Sequence, residues 1–216
     1  YTGNKYTDRW RGNYSIIACF SYKETEMDIE KIKANVKSHL DEKRYAHVER
    51  VAKCAKRLAK IYGENEQDVE VSAYLHDIAK FFELSRMLDL VKGKYPEVRD
   101  EMSHSTAVLH GFAGAEFVKN NYDIYGVDNE DILDGVRYHT IGSGNMSTLA
   151  KIVYLADAIE DGRNWEGVEK ARELALENLD EAIKYEIDTK LEYLISKDNI
   201  IHPNIILFRN SLIYKK

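Results

Sequence analysis

Residues 66–82 read EQDVEVSAYLHDIAKFF, and this stretch decides the fold class. Val69, Ala73, His76 and Lys80 recur at three- and four-residue spacing, the period of one helix face and not of a strand. The spacing predicts a helix over 66–82 that carries a histidine followed directly by an aspartate. Upstream, 43–62 repeats the period with Val48, Val51, Ala55, Leu58 and Tyr62, and Gly63 stands where a left-handed C-terminal cap is expected. His47 lies on that stripe, four residues before Val51.

The same reading extends outward in both directions. Asp28 is suited to cap a first helix that reaches Leu40, whereas 84–101 is irregular, with Gly93 and Pro96 as breakers. Further helices are expected from Ser105 or His110 to Asn121, and from Asp128 or Asn129 with Ile132, Val136 and His139 on one face. Residues 140–145 contain two glycines and read as a loop, after which Ser147 caps a helix through Ile159. A long amphipathic helix over 168–196, broken near Asn178, and an apolar tail over 199–214 with Pro203 complete the chain. The expectation is an all-α, single-domain helical bundle.

Composition agrees and excludes several classes. Of 216 residues 44% are hydrophobic and 31% charged, enough for a core and too apolar for a disordered chain. Only two prolines interrupt it. No apolar run approaches the roughly 20 residues of a membrane span, so no membrane role is expected. Lys plus Arg number 31 against 37 Asp plus Glu, a net charge of −6, which argues against nucleic acid as a partner. Two cysteines, Cys19 and Cys54, provide no disulfide framework and point to the reducing cytoplasm. The 15 tyrosines suit a homodimer interface as well as core and surface use. Residues 1–26 are aperiodic and Met27 opens the helical pattern, so 1–26 are expected to be an extension and 27–216 the domain.

The chemistry lies in an ordered series: His47, His76-Asp77, His110, His139 and Asp157. Imidazole and carboxylate are the ligands that a borderline divalent ion prefers. His47, His76, Asp77 and Asp157 lie on or beside inward helix faces, where a buried carboxylate needs a partner and a metal would supply one. His110 precedes the small-residue run 111–114, which suits either a close approach of backbone to phosphate or tight helix packing.

This series resembles the HD superfamily of metal-dependent phosphohydrolases, named for its His-Asp pair. Leu75-His76-Asp77-Ile78-Ala79-Lys80 is similar to the element that carries the pair. Arg137-Tyr138-His139-Thr140 with Gly142, Tyr154-Leu155-Ala156-Asp157 with Ile159-Glu160, and Gly162-Arg163 resemble segments of the YqeK family of bacterial symmetrical diadenosine tetraphosphatases. The likeness spans about 28–212. Asp161, Trp165 and Asn204 depart from that family's usual Pro, Phe and Asp.

The resemblance implies that His47, His76, Asp77 and Asp157 bind iron or another divalent transition metal. It implies that His110 and His139 face the phosphates or hold a second metal. Asp77, Lys80, His110 and His139 are then the expected catalytic residues. Contacts to a dinucleoside polyphosphate or to ADP fall to His47, Lys80, His110, His139, Thr140, Asp157 and Arg163. The tail residues Ile200, Ile201, His202, Pro203, Asn204 and Ile205 are expected to line the nucleoside site. The implied reaction is attack of metal-activated water on phosphorus, giving two ADP, with Lys80 and Arg163 stabilising charge and His139 or His110 protonating the leaving phosphate. Lys80 as a solvated helix-end lysine and Arg163 as a surface ion-pair partner are the alternative roles. A 5′-nucleotidase, a guanosine tetraphosphate hydrolase and a non-catalytic nucleotide-binding module are the rival functions.

Overall fold

Asp28 opens the first helix, α1 (Ile29–His39), by accepting the Glu30 and Lys31 backbone N–H groups. Such a cap contributes about 1 kcal/mol, and the same device recurs along the chain. Asp41 caps α2 (Glu42–Tyr62), Asn65 caps α3 (Glu66–Leu75) and Asn129 caps α7 (Glu130–Tyr138). Ser147 caps α8 (Thr148–Ile159), and Asn178 ends α9 (Val168–Glu177) and caps α10 (Leu179–Ser196). Between these stand α4 (Leu84–Val91), α5 (Thr106–Asn120) and the single turn α6 (Tyr122–Tyr125). The computed structural model describes residues 27–95, 98 and 105–214; the expected extension over 1–26 lies outside the described residues.

α2 runs between α3 and α8, and α3 also packs on α7. α5 lies against α7 and α4, while α9 and α10 cover α8. The predicted stripe of α2 is the one that is buried: Val48, Val51, Ala55 and Leu58 share one core with Val69 and Leu75 of α3 and with Ile152 and Val153 of α8, to which Ile132 and Val136 of α7 also belong. Each large aliphatic side chain buried there stabilises the fold by about 1.5–3 kcal/mol. The run after His110 serves helix packing. A Cβ on Gly111 would stand 2.8 Å from the Arg137 carbonyl oxygen, and one on Gly114 would stand 3.3 Å from both Ile78 and Val136.

Two expectations change. The helix over 66–82 stops at Leu75 and continues as a series of tight turns. His76 Nδ1 lies 2.6 Å from the Ala73 carbonyl oxygen, and the backbone then bonds at three-residue spacing, from Ile78 to Leu75 and from Lys80 to Asp77. The imidazole thus competes with the backbone for the helix's last carbonyls. The apolar tail folds into α11 (Pro203–Tyr214), with Pro203 at the first helical position, where its missing N–H costs nothing.

Candidate metal centre and active site

Five helices deliver the site. α2 supplies His47, the turn after α3 supplies His76 and Asp77, α5 supplies His110, the end of α7 supplies His139, and α8 supplies Asp157. The four histidines and Asp77 are buried, and Asp157 is partly so. Asp77 is the centre. Its Oδ1 lies 3.0 Å from His110 Nε2 and 3.9 Å from His139 Nε2, and its Oδ2 lies 3.3 Å from His76 Nε2 and 3.9 Å from His47 Nε2. Asp157 Oδ1 closes one side, 3.0 Å from His47 Nε2 and 4.0 Å from His76 Nε2.

What the other ring nitrogens do decides what this cluster suits. Nδ1 of His76, His110 and His139 stands 2.6, 3.1 and 2.8 Å from the carbonyl oxygens of Ala73, Thr106 and Val136. Nδ1 of His47 stands 3.1 Å from Glu160 Oε1. Carbonyls and a carboxylate only accept, so each Nδ1 carries its hydrogen and each neutral ring turns an Nε2 lone pair inward. The buried Nε2 atoms of His47 and His76 have no hydrogen-bond partner, and those of His110 and His139 approach to 2.9 Å. Inward lone pairs beside carboxylates are a cation's donor set, and the residues present fit a divalent metal. Two overlapping groups have metal-holding geometry, His47–His76–Asp77 and Asp77–His110–His139, sharing Asp77.

Electrostatics follow the same arrangement. Burial opposes ionisation of Asp77, but His76 and His110 beside it hold its carboxyl well below the usual range. Asp157 is held down in the same way, against burial, by His47, His76 and Arg163. Burial, with His110 and His76 beside it, pushes His139 well below an ordinary imidazole.

The expected cations are placed at the rim. Lys80 Nζ lies 3.3 Å from His110 Nε2 and 3.7 Å from Asp77 Oδ1, although it leaves a tight turn and not a continuous helix. Arg163 donates to Asp157 Oδ1 at 2.5 Å and to the Asp157 carbonyl oxygen at 2.7 Å. Thr140 follows His139 in the turn beyond α7. The segment 200–205 is not gathered into this cluster: Ile200 is exposed, whereas His202 and Ile205 are buried. α11 seats Phe208 on Gly142, where a Cβ would stand 2.0 Å from the ring, so the tail helix rests on the loop after His139.

Sequence reasoning missed the supporting groups. Glu160 binds His47 and accepts from Arg50 Nε at 2.6 Å and from the Gly162 N–H at 2.5 Å. Arg44 donates to Asp77 Oδ2 at 3.0 Å. Arg172 reaches the carbonyl oxygens of Ile159, Glu160 and Arg163, pinning the turn that carries Glu160 and Arg163. The one available signal was Glu160 within the Ile159-Glu160 element.

Comparison with known proteins agrees with this geometry. Residues 44–162 match the HD domain. The chain is 37% identical over 181 residues to a symmetrical bis(5'-nucleosyl)-tetraphosphatase of Halalkalibacterium halodurans, covering 84% of this chain and 95% of that one. The corresponding Staphylococcus aureus protein is 37% identical over 183 residues, covering 83% and 92%. A crystal structure from Clostridium acetobutylicum, described as a predicted HD superfamily hydrolase involved in NAD metabolism, superposes with a TM-score of 0.80 at 35% identity, over 88% of this chain and 98% of its own. The chain belongs to the HD-domain family and, within it, to the family of symmetrical bis(5'-nucleosyl)-tetraphosphatases.

Proposed function

We propose that this protein hydrolyses diadenosine tetraphosphate symmetrically to two ADP. The observation that carries the reading is the convergence of four inward Nε2 atoms on Asp77, in a chain whose relatives bear the name of that activity. His47, His76, Asp77 and Asp157 would hold a divalent metal, with His110 and His139 facing the phosphates or completing a second metal position. Bound there, a metal supplies a Lewis acid for a phosphoryl oxygen and lowers the pKa of water. Lys80 and Arg163 add fixed positive charge where charge grows on the phosphoryl oxygens. Of the two rings expected to protonate the leaving phosphate, His139 is held towards its neutral form by burial, so the step falls to His110, and Thr140 and the segment 200–205 contact the nucleotide.

Iron as the metal rests on the resemblance, and a reducing cytoplasm would keep it ferrous. Burial pushes the Cys54 thiol up to about 11, which suits a core position and not redox chemistry. Among the described residues no helix is long and apolar enough to cross a membrane.

The test is product identification. Diadenosine tetraphosphate with iron(II) and purified protein is expected to give ADP alone; ATP plus AMP, or no turnover, would defeat the reading. Asp77→Ala is expected to lose both bound metal and hydrolysis.

A further inference from the structure

A cavity of about 850 Å³ opens beside Asp157, and the residues discussed so far occupy only its near end. That end is Arg163, next to the metal centre. Beyond it stand Trp165 and Tyr185, both half-buried, with ring centroids 6.5 Å apart and planes tilted by 33°. Contacting carbon atoms lie about 3.5–4 Å apart, so two rings with a third between them stand about 7 Å apart. The observed centroids are near that spacing, and the two rings form a jaw on the cavity wall.

The jaw is held in place. Trp165 Nε1 donates to the Ala158 carbonyl oxygen at 2.7 Å, which fixes the indole. Gly167 has φ 98°, and a Cβ there would stand 2.5 Å from the Tyr185 hydroxyl oxygen and 3.4 Å from the indole edge. Glycine thus keeps the base of the jaw clear. The charge pattern has a direction. Lys80, Arg163 and Arg44 gather at the metal end; along the cavity beyond, Lys190 is paired with Glu186 and Asp188 with Arg209, which leaves the exposed carboxylates of Glu166 and Glu192 to set the local charge. Acceptors there repel phosphate and suit the hydroxyls of a ribose and the amine of a base.

We infer that this cavity binds a purine nucleoside, with the base between Trp165 and Tyr185 and the phosphate chain leading past Arg163 towards Asp77. The inference rests on the dinucleotide reading and deepens it. A substrate with two nucleosides needs two places for them, and none of the residues 200–205 lines this cavity. Stacking on aromatic side chains tolerates any base, so Trp165 and Tyr185 would set affinity more than adenine selectivity.

Trp10 and Trp165 are the two tryptophans, so a Trp10→Phe background leaves one indole to report. Adenosine, ADP and inorganic tripolyphosphate are titrated separately against its emission. Saturable quenching by adenosine and ADP but not by tripolyphosphate is expected. Tyr185→Ala is expected to weaken adenosine about tenfold or more and to raise KM for diadenosine tetraphosphate by a similar factor at unchanged kcat, while Tyr185→Phe retains both. Turnover to ADP with a silent Trp165, or with Tyr185→Ala binding unchanged, would overturn the cavity assignment and leave the activity standing. Quenching by adenosine without ADP production would support the cavity and defeat the hydrolase reading.

Discussion

Glu160 Oε1 stands 3.1 Å from His47 Nδ1, across 113 residues of sequence. The contact settles which nitrogen of His47 carries the hydrogen and which faces Asp77 and Asp157. A carboxylate behind a ligating imidazole both orients the ring and raises its basicity. Glu160 is itself held by Arg50 and by the Gly162 N–H, so the orientation is built from the turn after α8 and not from α2 alone.

Removing that support is expected to weaken the metal and leave the fold. Glu160→Ala should lower metal affinity about 10- to 100-fold, with Glu160→Gln, which keeps an acceptor oxygen, losing less. Competition with a chelator measures it, and equal affinities for all three proteins would remove Glu160 from the site.

Lys80 separates a catalytic cation from a solvated one. Lys80→Met keeps the stem and removes the charge 3.3 Å from His110. A fall in kcat of about 10²-fold with unchanged metal content is expected. Unaltered kcat would return Lys80 to the solvent.

Gly111 tests whether helix spacing sets the site. Its missing Cβ faces the Arg137 carbonyl oxygen and, at 3.3 Å, His139 Cε1. Gly111→Ala must push α5 from α7, and a loss of about 1–3 kcal/mol in urea unfolding together with reduced kcat is expected. Stability lost without any change in kcat would show that His139 tolerates the shift.

His39, away from the metal centre, gives a pH dependence. Burial first, and then the Arg86 guanidinium, lowers its pKa below the ordinary value. Its ring packs edge-on against Phe82 and Phe117. The unfolded chain then binds the proton more readily, so this contribution is intact above about pH 6.5 and is lost as pH falls from there to the folded value. Urea midpoints at pH 7.5 and 5.5 are expected to fall more steeply for the wild type than for His39→Phe. Parallel slopes would assign the acid sensitivity elsewhere.

The all-helical fold was legible because apolar spacing and capping residues agree along the chain, and the break at Asn178 followed from a residue that ends one helix and caps the next. The end of α3 was not legible, since the competitor for its carbonyls is the His76 side chain, not a proline or glycine. His76, Asp77, His110 and His139 were readable as a motif series, and the structure brings them within one cluster. Arg44, Arg172 and the role of Glu160 were hidden because each acts through a partner on another element. A surface-like Arg or Glu on one helix carries no local mark of such a contact.

The imidazoles that meet around Asp77 come from His47 to His139, nearly half of the chain. During synthesis α2 and the turn after α3 leave the ribosome well before α7 exists, and the early portion presents only His47, His76 and Asp77. The second group cannot form until residue 139 has emerged and α7 has docked on α5. A chain terminated before residue 157 would therefore carry an incomplete set of the proposed ligands, lacking Asp157.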